Sequence, residues 1–233
     1  MKKTLKRIII SILIVSNIFF SFGCQKKTQI SVPKTDESYV YNLPVTKEPF
    51  EDMEIVHTLG TYITFDSEEE IYADSELVFI GMPVDTFTEG TEIYYTFGGK
   101  QVEKNSGERI TNSVTLRNVK ILEMIKGEYS SDTIKIADRA ITKTYDTGET
   151  KIVGLPSENK IEKKNAKYIF YVYKSGDPNN DYYFSQPDDG VINIDMLHPD
   201  MNKAVDSKRL EQVKTRFSAH FKKYDRSEEI KCS

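Results

Sequence analysis

From residue 8 to residue 22 the chain is almost wholly apolar, interrupted only by Ser11, Ser16, Asn17 and Ser21, and four basic residues, Lys2, Lys3, Lys6 and Arg7, precede that run. A basic start followed by a short apolar run is the layout of a secretory signal. The run is shorter than the roughly 20 residues a helix needs to cross a hydrocarbon core, so a removed signal is expected rather than a permanent span. Residues 25 to about 53 are polar, carry Pro33, Pro44 and Pro49, and show no sustained apolar period. They read as a tether, within which residues 39–43 form an edge strand or dock on the domain. The expected division is a signal at 1–23, a tether at 24–54, a β domain at 55–200, a C-terminal helix at 201–226 and a disordered tail at 227–233.

Beyond the tether the pattern changes to short runs rich in β-branched and aromatic residues. Residues 60–65 predict a strand. Ser67, with Glu70 three places on, forms a capping box, and Glu68, Glu69 and Glu70 favour the positive end of a helix, so a short helix is expected from about Glu68 to Asp74. Residues 77–87 are apolar on both alternating faces, the mark of a buried or curved strand, with Gly81 allowing close approach or a bend and Pro83 implying a bulge. Residues 88–112 are polar and glycine-containing, with a strand at 94–97. Residues 114–127 predict a long strand whose apolar parity shifts between Leu116 and Val119 and again after Ile121, so bulges are expected there. Strands are predicted at 133–137, 151–155, 167–174, 182–185 and 190–195. Many short strands without crossover helices predict a mainly β fold, a small antiparallel barrel or sandwich. Last, Leu210, Val213, Phe217, Phe221 and Tyr224 recur at spacings of three and four, which places them on one face of a C-terminal amphipathic helix with a basic opposite face. That helix either packs on the barrel or meets anionic lipid or a partner.

Charge narrows the partners. The whole chain carries a net charge of −4, and residues 1–23 hold four cations and no acids, so the remainder carries −8. An acidic chain lacks the basic footprint of a nucleic-acid binder, and none is expected. Frequent Lys, Ile, Asn and Tyr with no Trp suits an AT-rich bacterial genome, such as that of a Gram-positive organism. Cysteine occurs only at Cys24 and Cys232. Cys232 reads as an inert terminal thiol or, alternatively, a link to a second copy.

The segment Ser21-Phe22-Gly23-Cys24 resembles a bacterial lipobox, whose cysteine takes up diacylglycerol before the peptidase cuts in front of it. Gly23 matches the small residue before the cysteine, while Ser21 and Phe22 depart from the usual Leu and small residue. The resemblance implies cleavage between Gly23 and Cys24, acylation of Cys24, and a chain lipid-anchored at the extracytoplasmic face of the cell membrane. An uncleaved anchor and a freely secreted form are the alternatives.

The order of pieces over residues 65–197 is similar to the netrin-like, or tissue-inhibitor-of-metalloproteinases-like, version of the OB barrel. The matching residues are a short helix running into Ala73-Asp74-Ser75-Glu76-Leu77-Val78-Phe79-Ile80-Gly81, a strand closing on Met124-Ile125-Lys126-Gly127, then Thr133-Ile134-Lys135-Ile136, and Lys167-Tyr168-Ile169-Phe170-Tyr171 ahead of Asp189-Gly190. The resemblance implies an OB-like barrel and a tendency to bind proteins. The inhibitors chelate zinc through a free N-terminal cysteine, but an acylated Cys24 cannot do so, and their cysteine pattern is missing.

Candidate chemistry is sparse. His57, His198 and His220 are dispersed without metal-binding spacing, and there is no nucleophile elbow, P-loop or dinucleotide fingerprint. Asp177, Asn179, Asp181 and Asp188 have partial calcium-loop spacing, but Tyr182 stands where the turn needs glycine, and a polar hairpin turn is the competing reading. Tyr168, Phe170, Tyr171, Tyr173, Tyr182, Tyr183 and Phe184 either fill a core or present a stacking face for sugars or a peptide. No cofactor is implied. The leading expectation is a membrane-anchored, non-catalytic binding module with a protein or envelope partner. An exported enzyme whose residues converge only in three dimensions, or a structural envelope or spore protein, are the alternatives.

Overall fold

The computed structural model describes residues 48–57, 64–154, 161–176, 180–187, 190–196, 199–203 and 205–226. Cys24, Gly23, residues 39–43, Asp177, Asn179, Asp188, His198 and Cys232 lie outside them. In chain order the strands are β1 (Ile55–Val56), β2 (Leu77–Pro83), β3 (Thr91–Thr96), β4 (Gln101–Val102), β5 (Ile110–Lys126), β6 (Thr133–Asp138), β7 (Ile141–Thr144), β8 (Thr150–Val153), β9 (Tyr168–Lys174), β10 (Tyr183–Ser185) and β11 (Val191–Asn193). The helices are α1 (Glu68–Asp74), α2 (Ser207–Arg216) and α3 (Ser218–Tyr224).

Every residue of β2 is buried because the strand is paired on both sides, with β5 and with β9, and covered on both faces. From β5 the ladder passes to β6, from β6 to β10, and from β10 to β9, which returns to β2. Five strands thereby close into a barrel, in the ring order β2-β5-β6-β10-β9, and the expected small β barrel is present. Its ladders are antiparallel except β6 with β10. Phe79, Phe170, Tyr168, Val119, Ile134 and Ile136 fill the interior, with the Phe79 and Phe170 rings stacked at 5.1 Å. The alternate residues Val78, Ile80, Ile169 and Tyr171 face outward onto Ile71, Val213, Phe217 and Tyr224 of the helices. Each fully buried large apolar side chain contributes about 1.5–3 kcal/mol. The doubly apolar pattern thus records a strand between two cores.

Beside the barrel, β1, β8 and β7 form a three-stranded sheet, with β1 parallel to β8. Its cluster joins Ile152 and Ala140 to Phe50, Phe87 and Ile161. Packing therefore begins by Glu48, inside the stretch assigned to the tether. Pro49–Asp52 is a 3-10 turn with a capping box between Glu48 and Glu51, and it delivers Phe50 edge-on to Phe87 at 5.9 Å. One aromatic in a polar run produces no periodicity, so the pattern hid it.

Two further expectations are corrected. The pairing of β5 with β6 is unbroken from Thr115 to Lys120, so the parity change at Leu116 is not a bulge. Arg117 takes the inward position there, while Leu116 packs on the outer face. Two irregularities lie further along, opposite Val78/Phe79 and Ile80/Gly81 of β2, where the second bulge was expected, and another lies earlier, opposite Tyr95/Thr96 of β3. At Gly81 a Cβ would sit 2.7 Å from both Phe79 and Val119, so the close approach inferred for this glycine is real. At the C-terminus the single helix is two, broken at Phe217, whose backbone (φ −108°, ψ 26°) ends α2 and starts α3. The apolar spacing runs through the break because both helices pack the same core. Met201 and Asn202, the first residues of the expected helix, belong instead to a 3-10 turn, Pro199–Asn202.

Candidate functional site

The aromatic run divides between inside and outside. Tyr168, Phe170 and Tyr171 are about 1% exposed and belong to the cores, as does Tyr183 at 9%. Tyr173 and Phe184, register partners on β9 and β10, face outward and remain partly exposed. Their rings stack at 5.8 Å and 27°, and the Arg139 guanidinium lies 4.8 Å from the Phe184 centroid and donates to the Tyr173 hydroxyl. Beside them Tyr182 meets Phe184 edge-on at 5.4 Å.

The neighbouring loop and the β3 strand complete this face. The hydroxyls of Tyr95 and Tyr182 are hydrogen-bonded to each other. The Asn180 amide donates to Tyr182 at 3.0 Å, to Tyr95 at 3.3 Å and to the Ser175 hydroxyl at 3.2 Å. Tyr95, Tyr182, Val114 and Ala137 are buried beneath partly exposed Ile93, Leu116 and Phe184. The result is a shallow surface of rings and aliphatic groups across β3, β5, β6 and β10, with a guanidinium at its side. Rings bind flat or apolar groups by stacking, and guanidinium and amide hydrogens select acceptors around them. Sequence supplied the aromatic residues. It could not supply Tyr95 or Arg139, because only barrel closure brings them beside residues 173–184.

Elsewhere, buried titratable groups pair with one another inside the fold. Arg117, 2% exposed, donates from Nε to Asp138 at 2.6 Å, from Nη1 to the Glu162 carbonyl at 2.7 Å and from Nη2 to the Glu162 carboxylate. One guanidinium thus faces two buried carboxylates. Burial, and then the Asp138 charge, push Glu162 up to about 8, against the pull of Arg117. Between α1 and α2 lies an open cleft of about 540 Å³, lined by Glu68, Glu69, Lys208, Glu211, Gln212 and Arg216. Its buried acid, Glu68, accepts from the Tyr171 hydroxyl at 2.9 Å and pairs with Arg216 at 2.7 Å. Burial first, and the Glu68 charge second, hold the Tyr171 hydroxyl far above its ordinary range.

His57 is exposed, and His220 lies 3.0 Å from Glu123, which Lys223 also contacts at 3.2 Å. Burial of Glu123 opposes its ionisation, but the hydrogen bonds from His220 and Lys223 outweigh it and hold the carboxyl below its usual value. Of the calcium-loop candidates only Asp181 is described, and it is exposed. Among the described residues no three His, Cys, Asp or Glu side chains gather as metal ligands, and no helix is long and apolar enough to cross a membrane. No known protein family, no curated protein and no solved structure matches the chain.

Proposed function

We propose that this chain is a lipoprotein, held at the extracytoplasmic face of a bacterial membrane through Cys24, whose barrel is a non-catalytic binding module. The observation that carries the binding role is the outer face of Tyr173, Phe184 and Arg139, with Tyr95 and Tyr182 fixed beneath it. Side chains placed for stacking and hydrogen bonding, on a rigid sheet, suit recognition of a protein or an envelope component. The ring order β2-β5-β6-β10-β9, with its parallel step from β6 to β10, supports reading the barrel as OB-like. The signal-like start and the Gly23-Cys24 junction support the anchor.

Mass spectrometry of the native N-terminus tests the anchor, which predicts a mature chain beginning at an acylated Cys24. A photo-reactive residue at position 184, used in intact cells, tests the face. The expected result is one discrete adduct that disappears when Arg139→Ala is added and the circular dichroism is unchanged. An adduct pattern indifferent to Arg139, or strong hydrolytic activity of the purified chain on envelope substrates, would overturn the binding reading.

A further inference from the structure

β5 pairs with β6 only from Thr115 onward, so its first residues, together with β3 and β4, extend past the barrel as a three-stranded ribbon. The ribbon is held at its base. Tyr95 is bonded to Tyr182, Thr111 donates to the Tyr95 carbonyl at 3.3 Å, and Lys104 lies 5.5 Å over the Tyr94 ring while pairing with Glu92. Its tip is Phe97-Gly98-Gly99, closed by Thr96 N to Lys100 O at 2.9 Å and Gly99 N to Thr96 O at 3.1 Å. Both glycines have positive φ, +89° and +80°, and a Cβ on either would meet nothing within 4 Å. Phe97 itself is 93% exposed, and Ile110, across the ladder from Thr96, is 36% exposed. Of the three exposed large hydrophobic residues among those described, two therefore share one projecting end.

We infer that this tip is a membrane-contact element, whose Phe97 ring inserts at the interface of a lipid bilayer. Phe97 at 93% exposure has no rim of neighbouring groups on its own chain to exclude water, as a protein hot spot has, whereas a convex tip with a single apolar ring suits shallow burial at the headgroup boundary. Charge agrees. Over residues 96–110 the end of the ribbon carries Lys100, Lys104 and Arg109 against Glu103 and Glu108, one net positive charge that Glu92 balances nearer the barrel, on a chain whose remainder beyond residue 23 is acidic. Lys100 is held in an exposed ion pair with Glu108, of the kind that contributes little and yields readily to lipid phosphates.

Reach agrees as well. Glu48 accepts from Lys164 N at 2.6 Å, and Lys164 pairs with Glu89 at 3.1 Å, so the chain joins the domain at the root of β3. Phe97 lies eight residues beyond Glu89, roughly 26 Å at most along a strand. The 24 residues from Cys24 to Glu48 span no more than about 85 Å by covalent geometry, ample for the tip to touch the surface that holds Cys24. The inference rests on the anchored reading for proximity to lipid alone.

The chain contains no tryptophan, so Phe97→Trp creates a single fluorescent probe. The full chain, purified from its host, is mixed with phosphatidylglycerol/phosphatidylethanolamine vesicles containing brominated lipid, with Tyr145→Trp, in the β7–β8 turn, as the comparison. Flotation reports the anchor and bromine quenching reports the tip. Blue-shifted, quenched emission at position 97, several-fold beyond that at position 145, is the expected result, and it supports the tip whether or not the chain floats. A chain that floats while the indole at position 97 stays unquenched overturns the inference and leaves the anchor standing. A blue shift without bromine quenching places the ring against protein and overturns it too, as does a chain that neither floats nor is quenched.

Discussion

Replacing Glu162 by Gln keeps the side chain's shape and removes its ability to ionise, which isolates the effect of a second negative charge beside Arg117. The folded chain holds a proton on Glu162 up to about 8, while the unfolded chain releases it near its ordinary value of about 4.3. Between those values the folded state binds more protons. Stability from this group is therefore fully present below about 4.3 and is lost as pH rises through the folded value. The slope approaches about 1.4 kcal/mol per pH unit for one whole proton, or roughly 0.5–1 M in the urea midpoint.

Other carboxyl groups do not confuse the comparison. Glu92 and Glu123 are held below their usual values, so their contributions are lost only as the solution becomes acidic. Glu48, raised by its burial, acts in the same sense as Glu162 but is common to both proteins. Urea unfolding followed by circular dichroism at about pH 5.5, 6.5 and 7.5 reads the difference across the window between the two values. The advantage of Glu162→Gln over the parent should grow steadily with pH. Parallel pH profiles would falsify the reasoning, since Glu162 would then be ionised throughout, with Arg117 balancing both carboxylates.

Three further outcomes follow from single contacts. Ser67→Ala removes the hydroxyl that accepts from Glu70 N at 3.3 Å and should lower stability by about 1 kcal/mol in urea unfolding, with no change in barrel circular dichroism. Gly81→Ala forces a methyl between Phe79 and Val119 and should cost about 1–3 kcal/mol, detected as a lower thermal midpoint. Phe217→Ala opens the core beneath the α2–α3 junction, where the ring meets Tyr171 edge-on at 6.5 Å. It should cost about 3–5 kcal/mol and speed amide exchange in both helices together.

The elements legible in the sequence were those whose cause is local. Ser67 and Glu70 announce α1 because a helix start is satisfied within four residues, and Ser67 does accept from Glu70 N. The run through Val78, Phe79 and Ile80 announces a strand covered on both sides because its composition alone requires it. What escaped depended on distant partners. Arg117 reads as a surface residue until Asp138 and Glu162 arrive to receive it. Phe50 has no apolar neighbours in sequence, yet finds Phe87. The face around Arg139 needs Tyr95 and Tyr182, 87 positions apart, to meet. The break at Phe217 is silent because the stripe of buried residues continues across it.

The closed ring also governs how this domain can fold. β2 reaches one partner, β5, some forty residues on, but its other partner, β9, pairs Leu77 with Val172, and the parallel step from β6 waits for Tyr183. Loop-closure entropy is lost before those contacts return anything, so folding should be slow relative to helical domains of similar size. Until residues 168–185 are in place, β2 and β6 each present a bare edge of hydrogen-bonding groups, the template on which unfolded chains aggregate. The last two barrel strands therefore act as the lock of the whole structure, and a chain interrupted before them would carry most of the core residues with no way to enclose them.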